Sequence, residues 1–472
     1  MAFTILSFIF FTGLVALVSY FFTRKAKDHG ARGYFMASGG LTDWFIAGSM
    51  MLTNLSAEQM VGLNGDAYAH NLSAMAWECT AAVATVALAM FFLPRYLCGG
   101  FTTLPQFLEE RFDGTTRRVV SAFFVIGYML VANPSGLYLG SITFNQVFGV
   151  QSLLGTSYPV TITLLVWVSG IIGALYAIFG GLRAVAVSDT INGIGLLIAG
   201  LMVPLLVSDV LPWWAKGFFI AVLFGTVMSH FNAVINSTAT LIVFDFYKVW
   251  NDEKLIRVGK MASVIITVVS LMVAPLLMYA PEGIYTVMRR FTGFYNIPII
   301  AVVLVGFFSK KIGAFPAKAV LLLHVIVYTF GILIFQVGKK LGIHFIHIMG
   351  ILFVCEVALM LALGRWHRRT QAYQPPRRQT GDLTPWRHAS TMSVFLLAAL
   401  VYLPDALADR RGASRWRDDR ISGPDRHDVE RRRGIDGAVS PPRIASRVVG
   451  AMGSVAGRIQ GTLIDSGYRK KR

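Results

Sequence analysis

Apolar windows of about twenty residues, the length at which an α-helix crosses the hydrocarbon core of a bilayer, recur along most of this chain. They predict eleven spans, near 3–22, 44–64, 72–97, 119–147, 159–179, 184–208, 214–245, 261–280, 285–308, 314–336 and 344–364, counted one to eleven in chain order. A shorter run, 391–404, has the length of a surface-lying or broken segment, or of a compressed twelfth span. The pattern is that of an all-α polytopic membrane protein.

Polar positions interrupt this pattern in three places. In the second span, "MLTNLSAEQMVGLNGDAY" (51–68) brings Asn54, Ser56, Glu58 and Gln59 together, followed by Gly62 and Gly65. A carboxylate at membrane depth costs at least ~2.5 kcal/mol unless it faces a partner or water. Small and polar residues from Thr53 to Gln59 predict a helix that opens midway. Its freed carbonyls then suit a cation and its side chains a solute. A polar seam between two helices is the plainer alternative. In the third span, Trp77 stands beside Glu78. An acid next to an indole suits a sugar, because the acid accepts from hydroxyls and the ring stacks. An interfacial Trp with a solvated Glu fits the same residues. The seventh span carries Thr226, Ser229, His230, Asn232, Asn236, Ser237, Thr238 and Thr240. Thr226 and Ser229 share a face, and hydroxyl oxygens suit a hard cation where imidazole does not. Hydroxyls satisfied by their own helix are equally compatible with this pattern.

Composition agrees with a membrane protein: 55% hydrophobic and 14% charged residues, with a mean hydropathy of +0.60 over 472 residues. The three cysteines have no CxxC spacing, so neither a metal site nor a disulfide framework is expected. Enzyme signatures such as H-E-x-x-H, G-x-x-x-x-G-K-[ST] and G-x-S-x-G are missing from the sequence, and no enzymatic activity is expected. The first span has no basic residue before it and no A-x-A site after it, and reads as a retained helix. Lysine and arginine gather in alternate gaps, with only Lys339 and Lys340 out of step, which places the N-terminus outside; the cell membrane is the expected location. Beyond about residue 366 the chain becomes Arg-rich and Lys-poor. Residues 367–404 read as a linker with the short apolar run, and 405–472 as a solvated, disordered tail. Interleaved acids and the lack of an aromatic platform argue against nucleic acid as a partner of the tail. An abrupt Arg-rich, Lys-poor stretch also arises from a shifted reading frame.

Four stretches, "YAIFGGLRA" (176–184), "TNLSAEQ" (53–59), "AWE" (76–78) and "INSTATLIVFDFYK" (235–248), resemble the sodium:solute symporter family, whose members include the sodium/glucose cotransporters. The likeness runs in register from about residue 1 to 404 apart from one gap, and the motifs are specific jointly rather than singly. It implies the inverted-repeat fold, two five-helix repeats crossing in opposite senses around a midplane site. Residues 1–366 then form the symporter-like domain, with a first repeat at about 41–208 and a partial second repeat and later helices at about 211–366. By the same resemblance, sodium would be held by the carbonyls of Leu52 and Leu55 with hydroxyls of the seventh span. Ser229 keeps one hydroxyl, His230 stands where the second is expected, and Thr226 matches a position that gives a carbonyl. Asn54, Gln59 and Glu78 match solute-contacting positions, while Arg289 replaces a residue that is usually neutral in the sugar-binding members. Trp77 and Tyr285 match outer-gate aromatics, and Asp189 an acid on the cation's inward path. The resemblance implies sodium as coupling ion, a small sugar-like solute and membrane lipids as partners, and no organic cofactor.

The gap falls between "GLLIAGLMVPLLVSD" and "LPWWAKGFFIAVLFG", where the family has two further transmembrane helices. Ser208-Asp209-Val210 here runs almost directly into the next span. Their loss removes the second repeat's broken helix, and with it one cavity wall. Glu58, Glu78 and Asp189 are then expected to face lipid, water or a neighbouring chain. Two functions follow: a sodium-coupled symporter of a small polar solute, or a transport-inactive remnant.

Overall fold

The computed structural model describes residues 2–23, 30–55, 58–63, 75–206, 213–247, 251–280, 284–343, 345–376, 378 and 386–400. Ser56, Gly65, the 208–210 junction and the 405–472 tail lie outside the described residues. Among those described the chain is helical, apart from one isolated antiparallel bridge between Ile312 and Arg368. Among the described residues ten helices are long and apolar enough to cross a membrane.

The second span is absent from those ten, because its polar stretch breaks it. The helix Asp43–Asn54 ends at Leu55, whose backbone (φ −91°, ψ 74°) leaves the helical region. A π-helical turn, Glu58–Leu63, follows. Spans five and six form one run, Tyr158–Leu206, broken at Gly181. There φ of 63° with ψ of −178° is a conformation that only glycine adopts without strain. Spans four and eight begin earlier than their apolar windows, at Gly114 and Asp252, because polar caps start them. Asp113 accepts from Thr116 N–H at 2.8 Å, and Asn251 accepts from the N–H groups of Glu253 and Lys254. Each cap satisfies donors that a helix start leaves without intrahelical partners.

Two further irregularities trace to proline. The π turns Leu88–Phe92 and Tyr128–Ala132 directly precede helices that carry Pro94 and Pro134 in their first turns. Proline has no N–H for the preceding turn, and a widened turn absorbs the defect. In span four other donors serve the carbonyls of that turn. Ser270 donates to Met129 O at 3.0 Å and Ser135 to Ala132 O at 2.8 Å.

The described residues form two compact units, one from 1–72 with 101–375 and the other from 73–100 with those beyond 375. The core of the first unit joins spans four, five, seven and eight. Leu137 and Tyr138 pack with Ile162 and Val166, Phe231 and Ile235, and Ile266 and Leu271. Small residues let these helices close up, as is usual where lipid offers no hydrophobic drive. A Cβ on Gly140 of span four would lie 2.7 Å from Val227 Cγ2 of span seven. Polar staples complete the unit. Asp245, inside "INSTATLIVFDFYK", accepts from Thr103 and Ser121 at 2.8 Å each and from Arg117 at 2.9 and 3.1 Å. Arg111, wholly buried, donates to Gly306 O (2.9 Å), Ile312 O (3.0 Å) and Ser309 O at the end of span nine. His324 Nδ1 and Glu356 Oε1, 2.5 Å apart, join spans ten and eleven. In the second unit span three runs through Met75–Ala87 to Gly99, and Cys98 O accepts from Arg378 N–H.

Candidate solute cavity and buried acid

The break in span two opens a cavity of about 310 Å³ within the first unit. Span two lines it with Thr53, Asn54, Glu58 and Gln59, and span four with Tyr128, Ala132 and Ser135. Span seven adds His230 and Ser237, and span nine adds Arg289, Thr292, Tyr295 and Asn296. Nine of the seventeen lining residues carry a hydroxyl or an amide, and Val131, Ala233, Val234 and Met288 supply apolar surface between them. Tyr128 and Tyr295 meet edge to face, with ring centroids 6.1 Å apart. Close approach at Gly127 makes room for the second ring, since a Cβ there would fall 2.4 Å from Tyr295 Cδ1.

Glu58 and Arg289 pair across the cavity wall, with Arg289 Nη2 3.1 Å from Glu58 Oε1, and both side chains are nearly buried. The guanidinium also lies 4.9 Å from the centre of the buried Tyr285 ring. One turn outward, Gly62 faces Tyr285, and a Cβ there would sit 3.4 Å from its Cδ2.

A second polar centre lies where spans two, six and seven meet. Asp189 of span six is 1% exposed, and Ser49 of span two donates to its Oδ2 at 2.8 Å. The buried Ser229 hydroxyl of span seven also approaches Asp189, without the geometry of a well-formed hydrogen bond. Close packing makes the meeting possible: a Cβ on Gly48 would come within 2.8 Å of Thr190 Cα, and one on Gly225 within 2.5 Å of Asn192 Cγ. Leu52 is wholly buried, and it packs with Leu55 against Val222 and Phe218 on the helix that carries Ser229. Thr226 donates its hydroxyl to Leu223 O at 2.7 Å, so that oxygen is engaged within its own helix.

The geometry bears on two expectations. Of lipid, water or a neighbouring chain, water suits Glu58, which pairs with Arg289 on the wall of the cavity, while Asp189 is buried within this chain and accepts from Ser49. His230 does not extend the hydroxyl pair of Ser229. Its Nε2 lies 3.2 Å from Ala132 O and its ring packs on Gly136, so it faces the cavity. Glu78 is half-buried in the second unit, and the side chain of Trp77 lies outside the described residues. Residue-by-residue reading missed Ser49, Tyr128, Ser135, Thr292, Tyr295 and Asn296. The polar run "TGFYN" (292–296) in the middle of span nine was the available signal for three of them.

Comparison with known proteins agrees with this architecture. A profile of the family "Sodium:solute symporter family" matches residues 34–204 and 200–322. The "Uncharacterized symporter YidK" of Escherichia coli K12 is 32% identical, with 87% of this chain and 92% of that protein aligned. That alignment runs over 532 positions, more than the 472 residues present here, so the relative carries sequence that this chain lacks. The "Sodium/glucose cotransporter" of Vibrio parahaemolyticus is 23% identical, over 61% of this chain and 77% of its own length. Among solved structures, a substrate-bound, outward-open "Na+-coupled sialic acid symporter" superposes with a TM-score of 0.63 at 15% identity, covering 79% of this chain and 98% of that one. Family profile, relatives and shared fold agree: this chain is a multi-pass integral membrane protein of the cell membrane and belongs to the sodium:solute symporter family.

Proposed function

We propose that the chain binds sodium and a small sugar-like solute as a sodium-coupled symporter. The observation that carries this reading is the pairing of a polar cavity, opened by the break in span two, with a buried acid where the same span meets spans six and seven. Sodium is assigned to the carbonyls of Leu52, Leu55 and Thr226 with the Ser229 hydroxyl, and Asp189 with Ser49 to its inward path. The solute is assigned to Asn54, Gln59 and Arg289, with His230 moved from the ion to the solute. Tyr285 is assigned to the outer gate. Glu78 and Trp77 rest on the family resemblance alone. A sugar is favoured by the hydroxyl and amide lining with its two tyrosines, and by a relative named for glucose. The domain division stays as read from sequence: 1–366 as the transport domain, 41–208 as the first repeat, and 211–366 as a partial second repeat with later helices.

A transport-inactive remnant is the second reading. The family match comes in two segments that meet at 200–204, and the bacterial relative has sequence with no counterpart here. Both fit the absence of two helices from the second repeat, and alternating access needs both repeats to move around a shared site. Proteoliposomes with an inward sodium gradient and labelled glucose or galactose separate the two. Sodium-dependent accumulation above the outside concentration, lost in Ser229→Ala, supports the symporter. Sodium-dependent binding without accumulation supports the remnant.

A further inference from the structure

We propose that the Glu58–Arg289 pair is a charge filter that restricts the cavity to solutes without net charge. The inference rests on reading the cavity as the solute site, and it names the class of solute. Glu58 sits at the start of the π turn that follows the break in span two, and Arg289 projects from span nine. Their 3.1 Å contact joins two elements that the chain separates by more than two hundred residues. Apart from His230, no other Asp, Glu, Lys, Arg or His lines the cavity among the described residues.

The energetics follow from burial. An anionic solute that draws Arg289 from Glu58 leaves that carboxylate without its cation in a region of low dielectric, and one that shares the guanidinium meets the carboxylate's repulsion beside it. A cationic solute strands Arg289 in the same way. Removing one partner of a buried pair is strongly destabilising even where the intact pair contributes little. A neutral polyol avoids that cost, because hydroxyls both donate to carboxylates and accept from guanidinium groups while the pair stays closed. The amides of Asn54, Gln59 and Asn296 and the hydroxyls of Ser135 and Thr292 suit the same solute.

The test is equilibrium binding to the purified full-length chain in saturating sodium, with two probe series. One is glucose, glucuronate and glucosamine; the other is glycerol, glycerate and ethanolamine. Wild type is expected to bind the neutral member about tenfold or more tightly than either charged one. Glu58→Gln should improve binding of the acid about tenfold, and Arg289→Gln should do the same for the amine. The exchanged double variant, Glu58→Arg with Arg289→Glu, should restore neutral preference, which a general folding defect would not do. Equal wild-type affinity for glucuronate and glucose, or no gain of acid binding in a monodisperse Glu58→Gln protein, overturns the filter. So does a result in which no probe sorts by charge in any of the four proteins. If no sugar binds but the second series still sorts by charge, the sugar reading fails and the filter stands.

Discussion

Replacing Ser229 with alanine should move two measurements in opposite directions. Ser229 is 2% exposed, and its buried hydroxyl oxygen makes no well-formed hydrogen bond where it approaches Asp189. A buried polar group left in that condition costs ~1–3 kcal/mol, so its removal should raise the thermal stability of the sodium-free protein. A contact between that oxygen and a cation is charge-assisted, which puts its loss at ~1.5–3 kcal/mol and the fall in sodium affinity at about ten- to a hundredfold. Thr226→Val is the control, because that hydroxyl is already given to Leu223 O. Its loss should leave sodium affinity within about twofold, a shift below ~0.5 kcal/mol. The assay is a melting series of purified protein in sodium chloride against choline chloride, fitted for the sodium dependence of the midpoint. A Ser229→Ala protein that is less stable without sodium, or whose sodium dependence is unchanged, would refute the assignment.

Three other outcomes are expected. Gly140→Ala should cost ~1–3 kcal/mol of stability, since its methyl group would meet a stiff β-branched side chain at 2.7 Å. Val227→Ala in the same chain should recover part of that loss in a thermal melt. His230→Ser should leave sodium affinity within about twofold and weaken solute binding, because its ring faces the cavity and not the acid; equilibrium sodium and sugar titrations check it. Burial is the largest single effect on Asp113 and raises it, but the hydrogen bonds from Lys318 and Thr116, together with the Lys318 charge, outweigh it and hold the carboxyl below the ordinary aspartate range. The unfolded chain then takes up the proton first, so this contact stabilises above the unfolded pKa, about 3.9, and is lost as pH falls through the lower folded value. Asp113→Asn should therefore flatten the acid limb of stability, and melts from pH 3 to 6 that keep their slope in the variant would contradict this.

The break in span two was legible because it is a local property: Thr53 to Gln59 cannot all face lipid, and the helix ends there. The start of span eight was misjudged for a related reason, since a hydropathy window discards the charged first turn that Asn251 caps. The two π turns were not read, although Pro94 and Pro134 supplied the signal. Pairings across the fold were beyond reach. Arg289 was singled out as an unusual charge and Glu58 as a costly one, but nothing in periodicity brings residues so far apart into contact. Ser49 was overlooked because a lone serine in a helix is more often satisfied by its own backbone. The direction of His230 depends on the space that Gly136 leaves on the facing helix, which only the packed structure supplies.

Span nine is held very differently at its two ends. At one end Arg111 grips the carbonyls of Gly306, Ser309 and Ile312, while Arg369 in turn donates to Arg111 O. Midway along, Pro298 interrupts the helical hydrogen-bond ladder. On the far side of that proline Arg289 pairs with Glu58 of span two, Met288 packs on Leu139 and Val227, and Tyr328 donates to Arg290 O. The proline gap therefore falls between a half clamped through its backbone carbonyls and a half held by side-chain packing, so Pro298 is the least-bonded point of span nine and the place where a bend costs least.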